Sequence, residues 1–436
     1  PALVEPTMPL AAQSLSWSAG YALLFLLVIA SAAARWRGVA GAPHGIQASG
    51  EPRPALGRQI HWLLIAAVPS GLMLSTTTHL TTDIVAMPLL WVLPLGLYLL
   101  SFVIAFSNLD GLKQIFASIA PAVLLIAGGQ ALLSTGGGTM LVALMSLVML
   151  FVVATALHGY LHHLRPAPQH LTLFYLIMSA GGVLGGAFAA LAAPLIFNWV
   201  YEHPVLVLAA ACLLPLPALL PWDHWLKISR PAPYVAVLLL AAVFACWRLT
   251  SGWDGTLGGA NGLWAGLLLA IGLLVIAWRW AYVPALLLLM LGIGGLDTLE
   301  KGQHGMRVRS YFGVYTVTDD PANQQRRLAH GTTLHGLQRT DREHLYDPTT
   351  YYGPQSGVGL TLGAANRLAG ANASVGIVGL GAGTLSCYRQ PGQRWTIFEI
   401  DPAMVAIARD PGKFTFLSHC AGDTPIVIGD ARLEIA

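Results

Sequence analysis

The chain has 436 residues, of which 55% are hydrophobic and only 10% charged, against roughly 25% charged residues in soluble globular proteins. This composition predicts a membrane protein and excludes an ordinary soluble enzyme. The formal net charge of +3 is small for this length, and basic residues do not cluster with aromatic ones, which argues against a nucleic-acid partner.

Apolar runs of about 20 residues, the length that crosses a bilayer, recur through residues 1–300. The predicted spans are 15–34, 60–79, 84–107, 115–134, 139–160, 172–198, 204–221, 232–249 and 258–280, with a shorter segment at 283–298. We therefore expect residues 1–300 to form a polytopic α-helical membrane domain.

Basic residues occupy every second loop between these spans. Arg35, Arg37, Arg53 and Arg58 lie in one loop, and Lys113, Arg165, Lys227 with Arg230, and Arg279 lie in alternate loops after it. The positive-inside rule predicts that these loops are cytoplasmic. A full span at 283–298 would then place the rest of the chain outside, unless this short segment, with its proline and glycines, is re-entrant or interfacial.

Ionisable residues within apolar runs are candidates for function. His79 and Asp83 are four residues apart and could meet on one helical face or in a tight hairpin. The alternative is that both lie at the water-exposed end of a hairpin.

The cysteines and histidines predict neither a disulfide framework nor a metal site. Cys212, Cys246, Cys387 and Cys420 include no CxxC pair, so we expect four reduced thiols. The histidines of LHGYLHHLRP have no accompanying carboxylate, and no zinc site is predicted there.

Residues 301–345 have the pattern of a small antiparallel β domain. MRVRSYFGVYTV alternates with period two and predicts one strand, and RRLAHGTTLHGLQ predicts another. We expect the sheet to cover residues 306–338.

Residues 346–436 have the pattern of a Rossmann-like α/β domain. Ser356 is placed to cap a helix, and ASVGIVGLGAGTL predicts a buried strand, a glycine turn and the start of a helix. The spacing Gly379-x-Gly381-x-Gly383, with Thr384 where a dinucleotide site has its third glycine, favours S-adenosylmethionine over NAD.

Two further strands of this domain end in carboxylates. QRWTIFEID delivers Glu399 and Asp401 about 20 residues past the turn, where an acidic residue reaches a nucleotide ribose. TPIVIGDA ends in Asp430, which could accept a hydrogen bond from an adenine amino group.

Taken together, these motifs resemble spermidine synthase-like polyamine aminopropyltransferases fused to a multi-span, major-facilitator-like membrane region. The likeness runs through VPSGLMLSTTTHLTTDIVAMPLLW, LAHGTTLHGLQ, TYYGPQSGVGL, GLGAGTL, FEIDP and GDAR. It implies a transferase that moves an aminopropyl group from decarboxylated S-adenosylmethionine to putrescine or a related amine.

The resemblance also implies roles for individual residues. Gly379, Gly381 and Gly383 would line the cofactor, Glu399 would hold the ribose, Asp430 with Ala431 would hold the adenine, and Tyr351 and Tyr352 would lie near the amine. The family's catalytic acid is expected beyond Ala436, so that the α/β domain is C-terminally incomplete.

Two departures from the family pattern leave the acceptor open. Ala382 stands where the GGGDGG motif of soluble members has an acidic residue, and His330 in LAHG replaces the aspartate of LDG. A methyltransferase on the same fold, or a transporter with a nucleotide- or polyamine-sensing domain, therefore remain alternatives. Because adenosylmethionine derivatives are made in the cytosol, we expect a bacterial-type inner-membrane protein with a cytoplasmic catalytic domain.

Overall fold

The computed structural model describes residues 7–38, 52–81, 91–133, 140–303 and 306–434. The chain divides into two compact units, Pro1–Pro54 with Pro166–Thr172, and Ala55–Arg165 with Leu173–Ala436. The first unit contains helix α1 (Leu10–Gly38), which includes a 24-residue apolar stretch, Ala11–Ala34.

The second unit begins with apolar helices. They are α2 (Leu56–His79), α3 (Val92–Ala105), α4 (Asp110–Gly128), α5 (Met140–His163), α6 (Leu171–Ala187, continued to Ile196), α7 (Glu202–Leu213), the short α8 (Trp222–Trp225), α9 (Ala232–Ser251) and α10 (Gly259–Leu274). In the described part of the chain, seven helices are long and apolar enough to cross a membrane. The predicted helical character of this region is confirmed.

The helix bounds differ from the predicted spans, and two of the differences have a clear structural cause. The span at 204–221 is helical only to Leu213, because Pro215 and Pro217 follow and a residue before proline avoids the helical conformation. The segment at 283–298 belongs to a 25-residue helical stretch, Arg279–Gln303. That stretch consists of α11 (Arg279–Met290) and α12 (Leu296–Gln303), joined by a break at which Gly294 has a φ of 73°.

Helix α2 lies at the centre of the bundle, and its contacts with α6 explain the glycines there. Ser70 donates a hydrogen bond to the carbonyl of Gly182 at 2.8 Å, and a side chain at Gly185 would collide with the carbonyl of Ala67. Trp62 packs edge-to-face on Phe174 at 5.1 Å. Small residues thus let the two backbones approach closely.

The predicted antiparallel sheet is confirmed, but with four strands instead of two long ones. The strands β1 (Arg307–Ser310), β2 (Gly313–Asp320), β3 (Gln325–His330) and β4 (Thr333–Arg339) follow one another in chain order. The predicted single strand 306–317 is wrong because it contains a hairpin, in which Ser310 pairs with Gly313. A two-residue turn preserves the period-two alternation, so the pattern alone does not reveal it.

The α/β region contains a parallel three-stranded sheet in the order β5 (Ser374–Val378), β6 (Arg394–Glu399) and β7 (Ile426–Ile428). Its helices are α13 (Gly357–Gly363), α14 (Ala365–Ala369), α15 (Pro402–Arg409), α16 (Phe416–Cys420) and α17 (Ala431–Glu434). The hydroxyl of Ser356 caps α13 by accepting from the backbone N–H of Gly359, as predicted. The prediction of a buried β5 is wrong, because this strand lies at an edge of the sheet and Val378 is 70% exposed.

The antiparallel sheet and the α/β region share one hydrophobic core, so we refer to residues 306–434 as the polar domain. Val317 and Leu328 of the antiparallel sheet pack into the same buried cluster as Trp395, Phe414 and Phe416.

The polar domain contains a disulfide bond. Cys387 and Cys420 are bonded; their Cα atoms are 4.8 Å apart and the two residues are 33 positions apart in sequence. The bond joins the turn of 3₁₀ helix at Thr384–Tyr388 to α16. The prediction of four reduced thiols is therefore wrong for this pair, because only the folded chain brings the two cysteines together. Cys212 and Cys246 are free.

Candidate functional site

The glycine turn after β5 has a conformation that demands glycine. Gly379, Gly381 and Gly383 have φ values of 89°, 55° and 84°, in the region that other residues rarely adopt. A side chain at Gly383 would also press on Leu417 of α16. The predicted motif thus forms a tight turn. The backbone N–H groups of Gly379 and Gly383 donate to the carbonyls of Phe398 and Leu380. Of the three glycines only Gly379 is exposed, so a ligand can approach the turn at that glycine.

Glu399 is the side chain that joins this turn to the end of β6. Its two carboxylate oxygens accept hydrogen bonds from the backbone N–H of Leu380 at 2.7 Å and of Asp401 at 2.9 Å. The side chain is buried, so its orientation is fixed by the backbone. Each oxygen keeps a second lone pair for a ligand.

A cavity of about 520 Å³ lies at the carboxyl ends of β5, β6 and β7, and we refer to it as the edge cavity. It is lined by Val378, Gly379, Phe398, Glu399, Ile400, Gly429, Asp430, Ala431 and Arg432. Four of the predicted cofactor residues, Gly379, Glu399, Asp430 and Ala431, thus meet in one place. Asp430 is partly held by Arg432, whose backbone N–H donates to Oδ1 at 2.9 Å.

Asp401 has a different environment from the other predicted cofactor residues. It is 1% exposed, and Oδ1 accepts from the backbone N–H of Ala403, capping α15. Oδ2 accepts from the hydroxyls of Tyr315 at 2.7 Å and Ser310 at 2.5 Å. Burial, reinforced by the hydrogen bond to Asp401, raises the pKa of the Tyr315 hydroxyl. The structure therefore places Asp401 between the two sheets, outside the lining of the edge cavity.

The predicted amine-side tyrosines lie on the other side of the glycine turn. A side chain at Gly381 would come within 3.4 Å of the His335 carbonyl and 3.8 Å of the Tyr352 hydroxyl. The hydroxyl of Tyr351 donates to the same carbonyl at 3.4 Å. Burial is the main cause that raises the pKa of Tyr352.

His330 lies in a group of rings that the sequence only partly reveals. Its ring centroid is 5.1 Å from that of Tyr315 and 5.6 Å from that of His335. Burial lowers the pKa of both histidines, and for His330 the proximity of His335 adds to the effect. His335 is not among the predicted site residues. The segment LAHGTTLHG could have indicated it, because His335 lies across a tight hairpin from His330.

Ala382 is buried against Gly336 of β4. It is 1% exposed, and a Cβ atom at Gly336 of β4 would lie only 2.6 Å from the Cβ of Ala382. The two small residues let β4 cross the glycine turn. A side chain at Gly336 would require β4 or the turn to move.

Within the apolar helices, His79 forms a buried pair that the sequence does not indicate. Its ring stacks on that of His203 with centroids 4.7 Å apart and an interplanar angle of 12°. Nδ1 of His203 lies 3.2 Å from the hydroxyl of Ser75. Asp83, the predicted partner of His79, lies outside the described residues.

Within the described ranges, no group of three or more His, Cys, Asp or Glu side chains is arranged to hold a metal ion. Comparison of the chain with protein-family models, with curated proteins and with solved structures finds no match.

Proposed function

We propose that this protein is a membrane-bound transferase of the aminopropyltransferase type. The apolar helices anchor it in the bilayer, and the polar domain transfers an aminopropyl group from decarboxylated S-adenosylmethionine to a small amine such as putrescine. The support for membrane insertion is the set of seven long apolar helices.

The main support for the proposal is that Gly379, Glu399 and Asp430 all line the edge cavity. Neighbouring parallel strands present a glycine turn and two carboxylates at one edge, which is where nucleotides bind in open α/β sheets. Glu399 would accept from the ribose hydroxyls, and Asp430 from the adenine amino group. The proposed α/β architecture is the Rossmann-like one.

The proposed reaction is a displacement at carbon. The amine nitrogen forms a bond to the aminopropyl carbon beside the sulfonium, the carbon–sulfur bond breaks, and methylthioadenosine leaves with that electron pair. The attacking nitrogen must lose a proton, so the site needs orientation and a base rather than a redox group. Tyr351, Tyr352 and His330 form the proposed amine side, across the glycine turn from the edge cavity.

The test is a product analysis of the full-length protein in detergent, given putrescine with decarboxylated S-adenosylmethionine. Mass spectrometry should find methylthioadenosine and spermidine in equal amounts. Glu399→Gln should reduce the yield, whereas Glu343→Gln, which changes an exposed carboxylate, should not. Absence of both products, while the chain is folded, would contradict the proposal.

A methyltransferase is the second candidate, and Ala382 in the glycine turn favours it. Ala382 supplies no carboxylate that would hold an aminopropyl ammonium. The same assay with ordinary S-adenosylmethionine and a membrane extract decides between the two, because a methyltransferase would yield S-adenosylhomocysteine.

A transporter with a sensing domain is a third candidate, and the stacked pair of His79 and His203 favours it. Buried ionisable groups in apolar helices commonly mark transport pathways. Substitution His79→Asn would then abolish polyamine uptake by cells without changing ligand binding to the polar domain.

A further inference from the structure

We propose that the polar domain, and with it the edge cavity, lies on the oxidising, extracytoplasmic side of the membrane. The inference rests on the proposed membrane insertion but on no particular reaction. It reverses the cytoplasmic placement that cytosolic synthesis of the donor suggested. Three observations carry it: the end of the bundle to which the polar domain is attached, the distribution of basic residues, and the disulfide bond.

The loops at one end of the helix bundle carry most of its basic residues, and we refer to this end as the basic end. The guanidinium of Arg58, at the start of α2, donates to the carbonyl of Leu164, just after α5, at 3.1 Å. Phe106, just after α3, packs on His162 of α5 at 4.9 Å, and Lys113 of α4 donates to the carbonyl of Ser107, two residues after α3, at 3.0 Å. The start of α2, the end of α3, the start of α4 and the end of α5 therefore meet at one end.

The later helices meet in the same way. Arg279, at the start of α11, donates to the carbonyl of Leu214, just after α7, at 2.7 Å. Trp222 donates its indole N–H to the carbonyl of Leu274, at the end of α10, at 2.9 Å. The segment 215–231, which holds one lysine and one arginine, belongs to this group of loops.

The contact between α2 and α7 shows that these two groups of loops lie at the same end of the bundle. His79, at the end of α2, stacks on His203, at the start of α7, so these helices are antiparallel. The start of α2 and the end of α7 therefore point to the same end of the bundle. That end carries both groups of basic loops.

The polar domain is attached at the opposite end. Arg309 of β1 forms a bidentate ion pair with Glu202, the residue before His203, with N–O distances of 2.9 and 3.0 Å. Arg309 also donates to the carbonyl of Trp199 at 2.9 Å. Asn198 donates to the carbonyl of Gly302, near the end of α12, at 3.0 Å. The polar domain thus shares an end with the loop between α6 and α7, away from the basic loops.

The distribution of charge fixes which end is cytoplasmic. Residues 55–303 contain eight lysines and arginines. Six of them lie at or beside the basic end, and the other two are Arg248 and Lys301. Such an excess of basic residues in short loops marks the cytoplasmic side. The long helical stretch Arg279–Gln303 then leads from the basic end to the polar domain.

The disulfide bond between Cys387 and Cys420 supports the same side by an independent argument. Disulfides persist in oxidising compartments and are rare where cytosolic reductants reach them. A polar domain in the cytosol would be expected to hold two thiols at these positions. The distribution of basic residues and the disulfide bond therefore both place the edge cavity outside the cytosol.

This placement restricts how the proposed donor reaches its site. A nucleoside sulfonium made in the cytosol would have to cross the bilayer before it could enter the edge cavity.

The test adds one cysteine at a time to the full chain carrying Cys212→Ala and Cys246→Ala, and mass spectrometry of the peptides separates labelling of the added cysteine from labelling of Cys387 or Cys420. Arg342→Cys places a thiol on the exposed surface of the polar domain, and Arg230→Cys is the matched control in an exposed basic loop. Intact bacterial cells are treated with a membrane-impermeant maleimide, before and after permeabilisation. The proposal expects labelling of Arg342→Cys in intact cells and of Arg230→Cys only after permeabilisation; the reverse pattern would overturn it.

A second measurement needs no substitution. Cells that express the original chain are quenched in acid and alkylated, then reduced and alkylated again with a heavier reagent. The peptides that contain Cys387 and Cys420 should carry only the heavier label. If they carry the first label, the oxidising placement is wrong. Neither measurement requires donor or acceptor, so failure of the proposed transferase activity is a separate result.

Discussion

The apolar helices contain few charged side chains, whereas the polar domain contains many. The first 300 residues contain 19 charged side chains and the last 136 contain 24. In the polar domain, ion pairs such as Arg389 with Asp423 lie at the surface, and the Asp423 side chain is 75% exposed. Where the two regions meet, the side chains of Arg309 and Glu202 are 6% and 0% exposed.

The comparison shows that similar ion pairs differ in energetic consequence because of burial. A surface pair contributes little, since water solvates each partner when the other is removed. A buried pair leaves an uncompensated charge when one partner is lost. Arg309 with Glu202 is thus expected to control the attachment of the polar domain, whereas Arg389 with Asp423 is dispensable.

Breaking the buried pair should give the largest effect. Glu202→Ala should lower the free energy of unfolding by about 3–5 kcal/mol, because Arg309 would remain charged without its carboxylate. Thermal unfolding in detergent measures the loss. Asp423→Ala is the control and should leave the unfolding transition nearly unchanged, because water solvates Arg389 when the exposed carboxylate is lost.

The double variant Glu202→Leu with Arg309→Met sharpens this test. Replacing both partners by apolar groups should be less destabilising than Glu202→Ala alone, because no buried charge remains. If Glu202→Ala and Asp423→Ala cost the same, burial does not decide the energetics of these pairs.

The disulfide bond provides the next effect in size. Cys387→Ala with Cys420→Ala should destabilise the polar domain by about 2–4 kcal/mol, because the cross-link restricts the unfolded chain. Unfolding is followed with and without a reductant. The original chain should lose stability in the reductant, and the double variant should not respond to it. Cys212→Ala, which removes a free exposed thiol, should leave the response unchanged.

Ligand affinity of the edge cavity tests the role of Glu399. In Glu399→Gln, the side-chain NH₂ would face one of the two backbone N–H groups that now donate hydrogen bonds to the carboxylate. We expect methylthioadenosine to bind about 10- to 100-fold more weakly, consistent with roughly 1.5–3 kcal/mol for hydrogen bonds to a charged group. Calorimetric titration measures the affinity, and Glu343→Gln is the control. Unchanged affinity would mean that Glu399 serves only the glycine turn.

The sequence predicts the architecture where the pattern is local. Long apolar runs define helices such as α2 and α5 because burial in lipid requires about 20 apolar residues. Gly379, Gly381 and Gly383 are recognisable because positive φ values favour glycine. Glu399 and Asp430 are found from their places at the ends of strands.

Features that depend on tertiary contacts are absent from the sequence reading. Asp401 looks equivalent to Glu399 in FEID, yet the neighbouring sheet supplies Tyr315 and Ser310 to its carboxylate. The stacking of His79 on His203 joins residues 124 positions apart in sequence. Such pairings follow from packing, which periodicity does not encode.

The pH dependence of stability should show the smallest effect. Burial lowers the pKa of His330 and of His335 in the folded protein, whereas in the unfolded chain histidine titrates near its ordinary value of about 6.5. The unfolded state therefore binds more protons as the pH falls below about 6.5, and the folded state loses relative stability. Above that pH both states are neutral at these positions and the contribution vanishes.

The groups that face His330 set the expected size of this effect. Tyr315 and His335 lie against its ring, and the Asp401 carboxylate opposes the lowering of its pKa, so a shallow slope is expected. Chemical denaturation between pH 5 and pH 8 should show a fall in stability toward acid that is weaker in His330→Gln with His335→Gln. His224→Gln, at an exposed histidine, should retain the original slope. An identical slope in all three proteins would mean that other groups cause the acid sensitivity. His330 and His335 would then be as solvated in the folded protein as the surface ion pairs of the same domain.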